Sequence, residues 1–562
     1  MTALMGVLPL LLAGTAVNMK VLTLVTVLYV LAIGYLGFRS YKTTKTSTDY
    51  LLAGRNIHPY VMAISYGATF ISTSAIIGFG GVAANLGLGL LWLTFLNIFV
   101  GIFIAFVLFG KRTRRMGHNL DAHTFAEFLG RRFQSRFIQM FAGAVIFILM
   151  PLYAAAVLRG GAEFIKATFA VDLGVATFVF ALIVAAYVVA GGLRGVMFTD
   201  ALQGSIMFVG MLLLLVMTYA KVGGFTGGHE ALTALAPQMP EDLQKGGMIG
   251  WTAMPKLASP IWYSLVTTII LGVGIGVIAQ PQLAVRFMTV KSGRELNRAV
   301  LVGGIFILAM TGIAFIVGAL SNVYFWNLEG KIAIDAAAGN VDQVIPLYIN
   351  SAMPGWFVVI FMLTLLSAAM STMSSQFHTM GTAIGRDLFE EGIRKGRDKG
   401  VQSILVTRIG IIVAFAVTLA LALWMPGSIV AAATAVFFGV AAVAFLPAYI
   451  GGLFCRRITR AGAIAGMTSG FALAILWLAF IHAKNAGFLG ICQLLFKKAT
   501  LGTLPWTVID PLVVALPIST LVTIVVSLMT KAPDAAHLDR CMAGVGRCKS
   551  APAPLPVEAG AR

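Results

Sequence analysis

Apolar residues run along this chain in long blocks, each closed by a short polar or basic segment. A block of about 20 apolar residues is long enough to cross a bilayer as a helix. The pattern predicts thirteen such spans, at about 20–38, 59–83, 88–110, 135–157, 173–191, 199–220, 260–282, 299–325, 353–384, 403–424, 427–450, 461–482 and 509–530. Inside the ninth span the polar positions are not scattered. Thr364, Ser367, Ser371, Ser374, His378 and Thr382 follow one another at steps of three or four residues, which puts them on one stripe of a helix. Lipid cannot solvate hydroxyls and an imidazole, so the stripe is predicted to face other helices or a wet cavity. The plainer alternative is that these hydroxyls bond back to their own helix carbonyls and allow close packing.

Two other spans are punctuated by glycine. The second holds Gly67, Gly78, Gly80 and Gly81 among Ser65, Thr69, Ser72, Thr73 and Ser74. The seventh reads LGVGIGVIAQPQ, with Gly272, Gly274, Gly276 and Pro281. Such density predicts broken helices, whose freed backbone groups can be met locally or by an ion. The two spans open successive five-helix groups, 59–220 and 260–450, the pattern of an inverted-repeat transporter. Between spans, Thr124 and Glu127 form a capping-box pattern ahead of FAEFLGRRF, read as an amphipathic helix in the membrane interface. Arg159 and Glu163 are four apart and pair on one helix face. GGLRGVMFTD reads as an inner hairpin with Asp200 at the mouth of the sixth span, and no acidic residue falls deep in a span.

The chain divides accordingly: 1–18, a dispensable extension or start-site artefact ahead of Met19; 19–58, a first helix and inner loop; 59–221, a first repeat; 222–258, an outer loop; 259–451, a second repeat; 452–530, two further helices; and 531–562, a disordered cytoplasmic tail.

Composition settles the class as all-α integral membrane. Only 11% of the 562 residues are charged and 59% are hydrophobic, with mean hydropathy +0.92, whereas about a quarter of a soluble domain is charged. With the N-terminus outside and the C-terminus in the cytoplasm, 30 of the 40 Lys and Arg fall on the inner side, the bias expected of a protein of the plasma (inner) membrane. The net charge of +19 is therefore mostly topology, and the lipid bilayer rather than nucleic acid is the partner. Cys455, Cys541 and Cys548 lie inside and Cys492 outside, so no outer pair exists to form a disulfide. A sensor kinase would need a large soluble part after 530, a channel would need a filter motif, and an enzyme would need a metal, nucleophile or cofactor constellation in the bilayer.

Four stretches, GGLRGVMFTDALQGSIMF, AQPQLAVRFMTV, SAAMSTMSSQFHTMGTAIGRDLF and RRITRAGAIAGMTSG, resemble the sodium:solute symporter family, which includes sodium/proline, sodium/glucose, pantothenate and monocarboxylate symporters. The resemblance spans roughly residues 20–530 and implies a LeuT-type core of ten helices in two inverted five-helix repeats, with one helix before and two after. Carried over by motif, it implies a sodium site made by the backbone carbonyls of Ala68, Ile71 and Ala368 and the hydroxyls of Ser371 and Thr372. Such neutral oxygens suit a hard cation that must also leave. It places Asp200, in Phe198-Thr199-Asp200, on the inner exit route of the ion, with His378 beyond it on the stripe. Proline symporters have an aspartate where this chain has Phe70, and bulky aromatics where it has Val273 and Val277. A pocket lined by Phe70, Val273 and Val277, with Ser72 and Asn97 as polar anchors, suits a small organic solute with an apolar body. Amide ends at broken helices suit a carboxylate, so a monocarboxylate or neutral amino acid is expected, moved with Na+ by alternating access. The competing reading is proton coupling through His378.

Overall fold

In the computed structural model, which describes residues 17–169, 171–393 and 401–545, the chain is helical nearly throughout. Residues 1–16 and 546–562, where the extension and most of the tail were expected, lie outside the described residues. The spans are α1 Met19–Thr43, α2 in two halves (Pro59–Phe70 and 74–86), α3 91–119, α4 Arg136–Phe169, α5 Leu173–Val189, α6 Gly191–Lys221 and α7 Pro260–Ala279. They continue as α8 Gly293–Glu329, α9 Gly355–Gly392, α10 Ile404–Trp424, α11 Val430–Phe454, α12 Arg460–Phe480 and α13 Pro511–Met529. Among the described residues, eleven helices are long and apolar enough to cross a membrane, one of them running from Ser74 to Asn119 through the second half of α2 and α3, and Leu173–Val189 is a shorter apolar helix; α2–α6 and α7–α11 stand where the two five-helix groups were expected.

Burial separates centre from rim. Of the most apolar window, 89% is buried in α9 and in α11, against 22% in α1 and 28% in α13. A helix apolar all round and buried all round belongs at the middle of a bundle, and α9 packs on α6, α4, α10 and the first half of α2.

Both glycine-rich spans break as expected, although neither break falls on a glycine. The first half of α2 ends at Phe70; Ile71 is extended (ψ 107°), and the Ser72 hydroxyl accepts from the Ser74 amide to start the second half. In α7 the helix stops at Ala279, Gln280 is extended, and Pro281 begins a short helix. A serine cap and a proline thus make the interruptions. The glycines serve close packing instead: a Cβ on Gly81 would lie 2.1 Å from the Val341 carbonyl oxygen, and one on Gly318 of α8 would lie 2.0 Å from that of Gly80.

Three further expectations are corrected. GGLRGVMFTD is not a hairpin: α5 turns into α6 at Gly192 alone (φ 56°), where a side chain would strike Tyr50, and Asp200 sits more than two turns inside α6. The helix Phe125–Arg132 does not lie in the interface; seven of its eight residues are buried, because Glu127 is held by Arg131 and Arg386 and Thr124 by Asp387. The tail is not disordered from 531: Ala535–Met542 is a helix against the inner ends of α3 and α11, with Asp539 on Arg456, Asn119 donating to the Cys541 carbonyl and Cys541 buried.

Candidate ion and solute site

The stripe on α9 divides by what each side chain reaches. Its ends follow the plain packing role, Thr364 donating to the Ile360 carbonyl and Thr382 to that of Thr379. Ser367 reaches α1, donating to the Tyr29 hydroxyl at 3.1 Å. The middle grips the break in α2. Ser371 Oγ is 2.8 Å from the Ala68 carbonyl oxygen and 3.3 Å from that of Ala368, and Thr372 Oγ1 is 3.0 Å from the Thr69 carbonyl and 3.4 Å from that of Ala68. Ending α2 at Phe70 strips these carbonyls of their helical partners, so they point outward and accept from α9. The structure therefore brings together four of the five expected oxygens, adds Thr69, and places Ile71 at the break itself.

One turn inward lies a fully buried ion pair. Asp200 Oδ2 is 2.9 Å from Arg286 Nη2, and neither side chain is exposed. Arg286 also donates from Nε to Ser65 at 3.0 Å, from Nη2 to Thr69 at 2.6 Å and Ser375 at 2.5 Å, and from Nη1 to the Gln282 carbonyl at 2.5 Å. Ser65 in turn donates to Asp200 at 2.8 Å, and Ser374 approaches its other oxygen at 3.4 Å. The expectation of no deep acidic residue fails here. A charge is tolerated at such depth when its partner and hydrogen bonds are complete. His378 stands apart from this pair, its ring 5.7 Å from that of Tyr50 and beside the Leu51 backbone.

The expected solute residues join through side chains that the sequence did not single out. Phe70 meets Phe438 of α11 (6.1 Å between ring centroids), Phe438 meets Tyr153 of α4 (5.4 Å), and the Tyr153 hydroxyl is 3.5 Å from Ser72 Oγ. Val277 packs on Gly101, one turn beyond Asn97 on α3; Val273 is buried, and Gly276 lies against the Phe438 backbone. Tyr153, Phe438 and Arg286 were missed because their roles arise between distant helices. Arg286 carried a signal, as a lone charge in the apolar AQPQLAVRFM.

Both ends of the bundle are bridged. At one end Arg159 pairs with Glu163 at 3.0 Å as expected, Gln343 donates to Glu163 at 2.5 Å, and Asp342 accepts from the Ile429 and Val430 amides that open α11. At the other, Arg386 Nε lies 3.0 Å from Glu127, and Thr124 and Gln139 donate to Asp387 at 2.8 and 2.9 Å.

Comparison with known proteins agrees. The profile of the sodium:solute symporter family matches residues 50–470. The osmoregulated proline transporter OpuE of Bacillus subtilis (strain 168) is 27% identical over 465 residues, covering 82% of this chain and 89% of that protein. A sodium/proline symporter of Staphylococcus aureus is 26% identical over 487 residues, covering 83% and 89%. Among solved structures, an outward-open, substrate-bound Na+-coupled sialic acid symporter superposes with a TM-score of 0.72 at 18% identity, covering 91% of this chain and 98% of that one. A nucleobase-cation-symport-1 family transporter in a closed conformation gives 0.51 at 12% identity. The fold is LeuT-like. The chain belongs to the sodium:solute symporter family, a family of membrane transporters rather than enzymes, and its coupling ion is sodium.

Proposed function

We propose that this protein imports a small neutral amino acid across the plasma membrane, drawing one sodium site from the meeting of α9 with the α2 break. The observation that carries the reading is the convergence of the Ser371 and Thr372 hydroxyls on the Ala68, Thr69 and Ala368 carbonyls. With the carbonyl of Ile71 at the break, these supply neutral oxygens for a hard cation. A cage without formal charge offsets part of the desolvation cost yet lets the ion go, as a transport cycle requires. The ion then leaves inward past Asp200 and toward His378, with the N-terminus outside and the C-terminus in the cytoplasm. The solute occupies the region of Phe70, Ser72, Asn97, Val273 and Val277, completed by Tyr153 and Phe438.

Asp200 is spent on Arg286, so the side chains of the site carry no net charge and a bound sodium is its one uncompensated charge. A carboxylate answers that charge, and an amino acid brings one. The proline transporters among the relatives support the same class, and L-proline is the first solute to test. The experiment is uptake into proteoliposomes of a panel of neutral amino acids, short monocarboxylates, sugars and organic cations, with and without an inward sodium gradient. Sodium-driven uptake of a neutral amino acid is expected. Uptake indifferent to sodium, or competition by sugars and organic cations but not by amino acids, refutes the reading.

A further inference from the structure

Among the described residues five glutamines are buried: Gln139, Gln203, Gln280, Gln282 and Gln376. Four of them spend their amide N–H, on Asp387, Tyr29, the Gly276 carbonyl and Gln280 respectively. Gln376 spends nothing: it is 0% exposed, and neither Oε1 nor Nε2 has a hydrogen-bond partner. A buried amide with both ends unmet is costly and rare, because folded interiors satisfy nearly all such groups.

Its place on α9 says what it faces. Thr372, one turn outward and on the same side, donates to the Thr69 carbonyl at the α2 break. Ala369, on that side again, packs against Gly161 of α4. The Gln376 side of α9 thus looks toward the α2 break and α4, beside the hydroxyls proposed to hold sodium. At four residues, or about 6 Å along a helix axis, it lies within a solute's reach of that ion.

We infer that Gln376 is a specificity-determining ligand for the solute, its two amide ends meeting the carboxylate and the ammonium or iminium group of an amino acid. The Nε2 hydrogens donate to the carboxylate, and Oε1 accepts from the charged nitrogen. A carboxylate without an amine uses one end and leaves the other unmet, and so does an amine without a carboxylate. The arrangement selects the zwitterion by loss as well as by gain. It also sets the solute's carboxylate next to sodium, which makes each favour the other's binding. This inference rests on the proposed function above and names the residue that chooses within that class.

The test uses the full chain in proteoliposomes, with labelled L-proline as probe and cyclopentanecarboxylate (no amine) and pyrrolidine (no carboxylate) as competitors. Wild type is expected to prefer proline over either analogue at least tenfold. Gln376→Leu is expected to raise the KM for proline at least tenfold and to level that preference, while the protein keeps its stabilisation by sodium alone in a thermal-unfolding assay. Gln376→Asn, which retains both amide ends on a shorter stem, is expected to keep the preference with a raised KM, and it decides the matter if the leucine variant fails to fold. An unchanged KM and preference in Gln376→Leu overturns the assignment, as does a wild type that takes cyclopentanecarboxylate as well as proline. Absence of any sodium-driven amino acid uptake by wild type is a different failure, that of the proposed function.

Discussion

Removing one hydroxyl from the α2–α9 junction is the sharpest perturbation available. Ser371→Ala deletes an oxygen 2.8 Å from the Ala68 carbonyl, and Thr372→Ala deletes one 3.0 Å from the Thr69 carbonyl. Neither change disturbs a charge, and each removes little volume from a fully buried position. A hydrogen bond or ligand contact to a charged group is worth roughly 1.5–3 kcal/mol. At 1.4 kcal/mol per factor of ten, the half-saturating sodium concentration is expected to rise about ten- to a hundredfold in each variant. Sodium-dependent uptake measures it directly, and thermal unfolding in detergent titrated with sodium measures it without transport. Because linkage is reciprocal, solute affinity is expected to fall at limiting sodium and to recover as sodium approaches saturation. Thr372→Ser keeps the oxygen and is expected to stay near wild type. If both alanine variants retain the wild-type sodium constant in both assays, the ion is not held there, and the hydroxyls serve only to pack α2 on α9.

Other consequences are as direct. Arg286→Met is expected to cost about 3–5 kcal/mol of stability by leaving Asp200 buried and unpaired, and Asp200→Asn/Arg286→Met to recover most of it; unfolding midpoints of wild type, Arg286→Met, Asp200→Asn and the double variant check this, and additive losses refute it. His378→Gln is expected to leave the sodium dependence of uptake intact, and its abolition would revive proton coupling. Asp342, in the outer connection between α8 and α9, has its carboxyl pushed up by burial to about 6, against the pull of the Val430 and Ile429 amides. An acid raised in the folded state costs stability once ionised, so stability is expected to rise as pH falls from about 6 toward 4, by on the order of 3 kcal/mol, and Asp342→Asn to flatten that rise. Gln238→Cys and Asp335→Cys are expected to react with impermeant reagents from outside, and Arg115→Cys and Arg460→Cys only after lysis; the reverse pattern inverts the orientation.

What the sequence made legible follows from the range of the cause. Span positions depend on local apolar runs, so the long apolar helices were readable, although the break near Ser72 rather than a loop near 86 divides the second expected span from the continuous helix 74–119. The hydroxyl stripe was readable because helical spacing is local too, whereas its partner at the α2 break was named from the resemblance to the family. Glycine density marked the two broken spans but not the residues at which they break, because glycine's absent side chain can serve two ends. Gly81 looks like a helix breaker in sequence, yet it marks where the Val341 carbonyl comes too close for a Cβ. The breaks belong to Ser72 and Pro281, whose local chemistry was visible but outweighed by glycine density. Asp200 and Arg286 are 86 residues apart, and Glu127 and Arg386 are 259 apart. No local pattern tells a loop carboxylate from one half of a buried pair, so the stretches around Asp200 and Glu127 were read as exposed when tertiary partners had drawn them inside.

The same contacts bear on the order of events in transport. Ala68, whose carbonyl faces the proposed ion, and Ser65 and Thr69, which satisfy Asp200 and Arg286, all lie on the first half of α2. If that half swings from α9 to release sodium, it takes from the ion pair two of its hydroxyl partners in the same motion. A buried pair stripped of partners costs several kcal/mol unless water replaces them. Water cannot arrive from inside while Glu127, Arg386, Thr124 and Asp387 bridge the entrance. Glu127 shows how firm that bridge is: burial raises its carboxyl, but His123, Arg386 and Arg131 together hold it well below the usual carboxylate range, so it stays ionised at every physiological pH. With sodium at the proposed site and in the proposed orientation, the network of Glu127, Arg386, Thr124 and Asp387 is expected to part first, so that water reaches Asp200 and Arg286 before the first half of α2 leaves, while the bridge at Arg159, Glu163 and Gln343 stays shut.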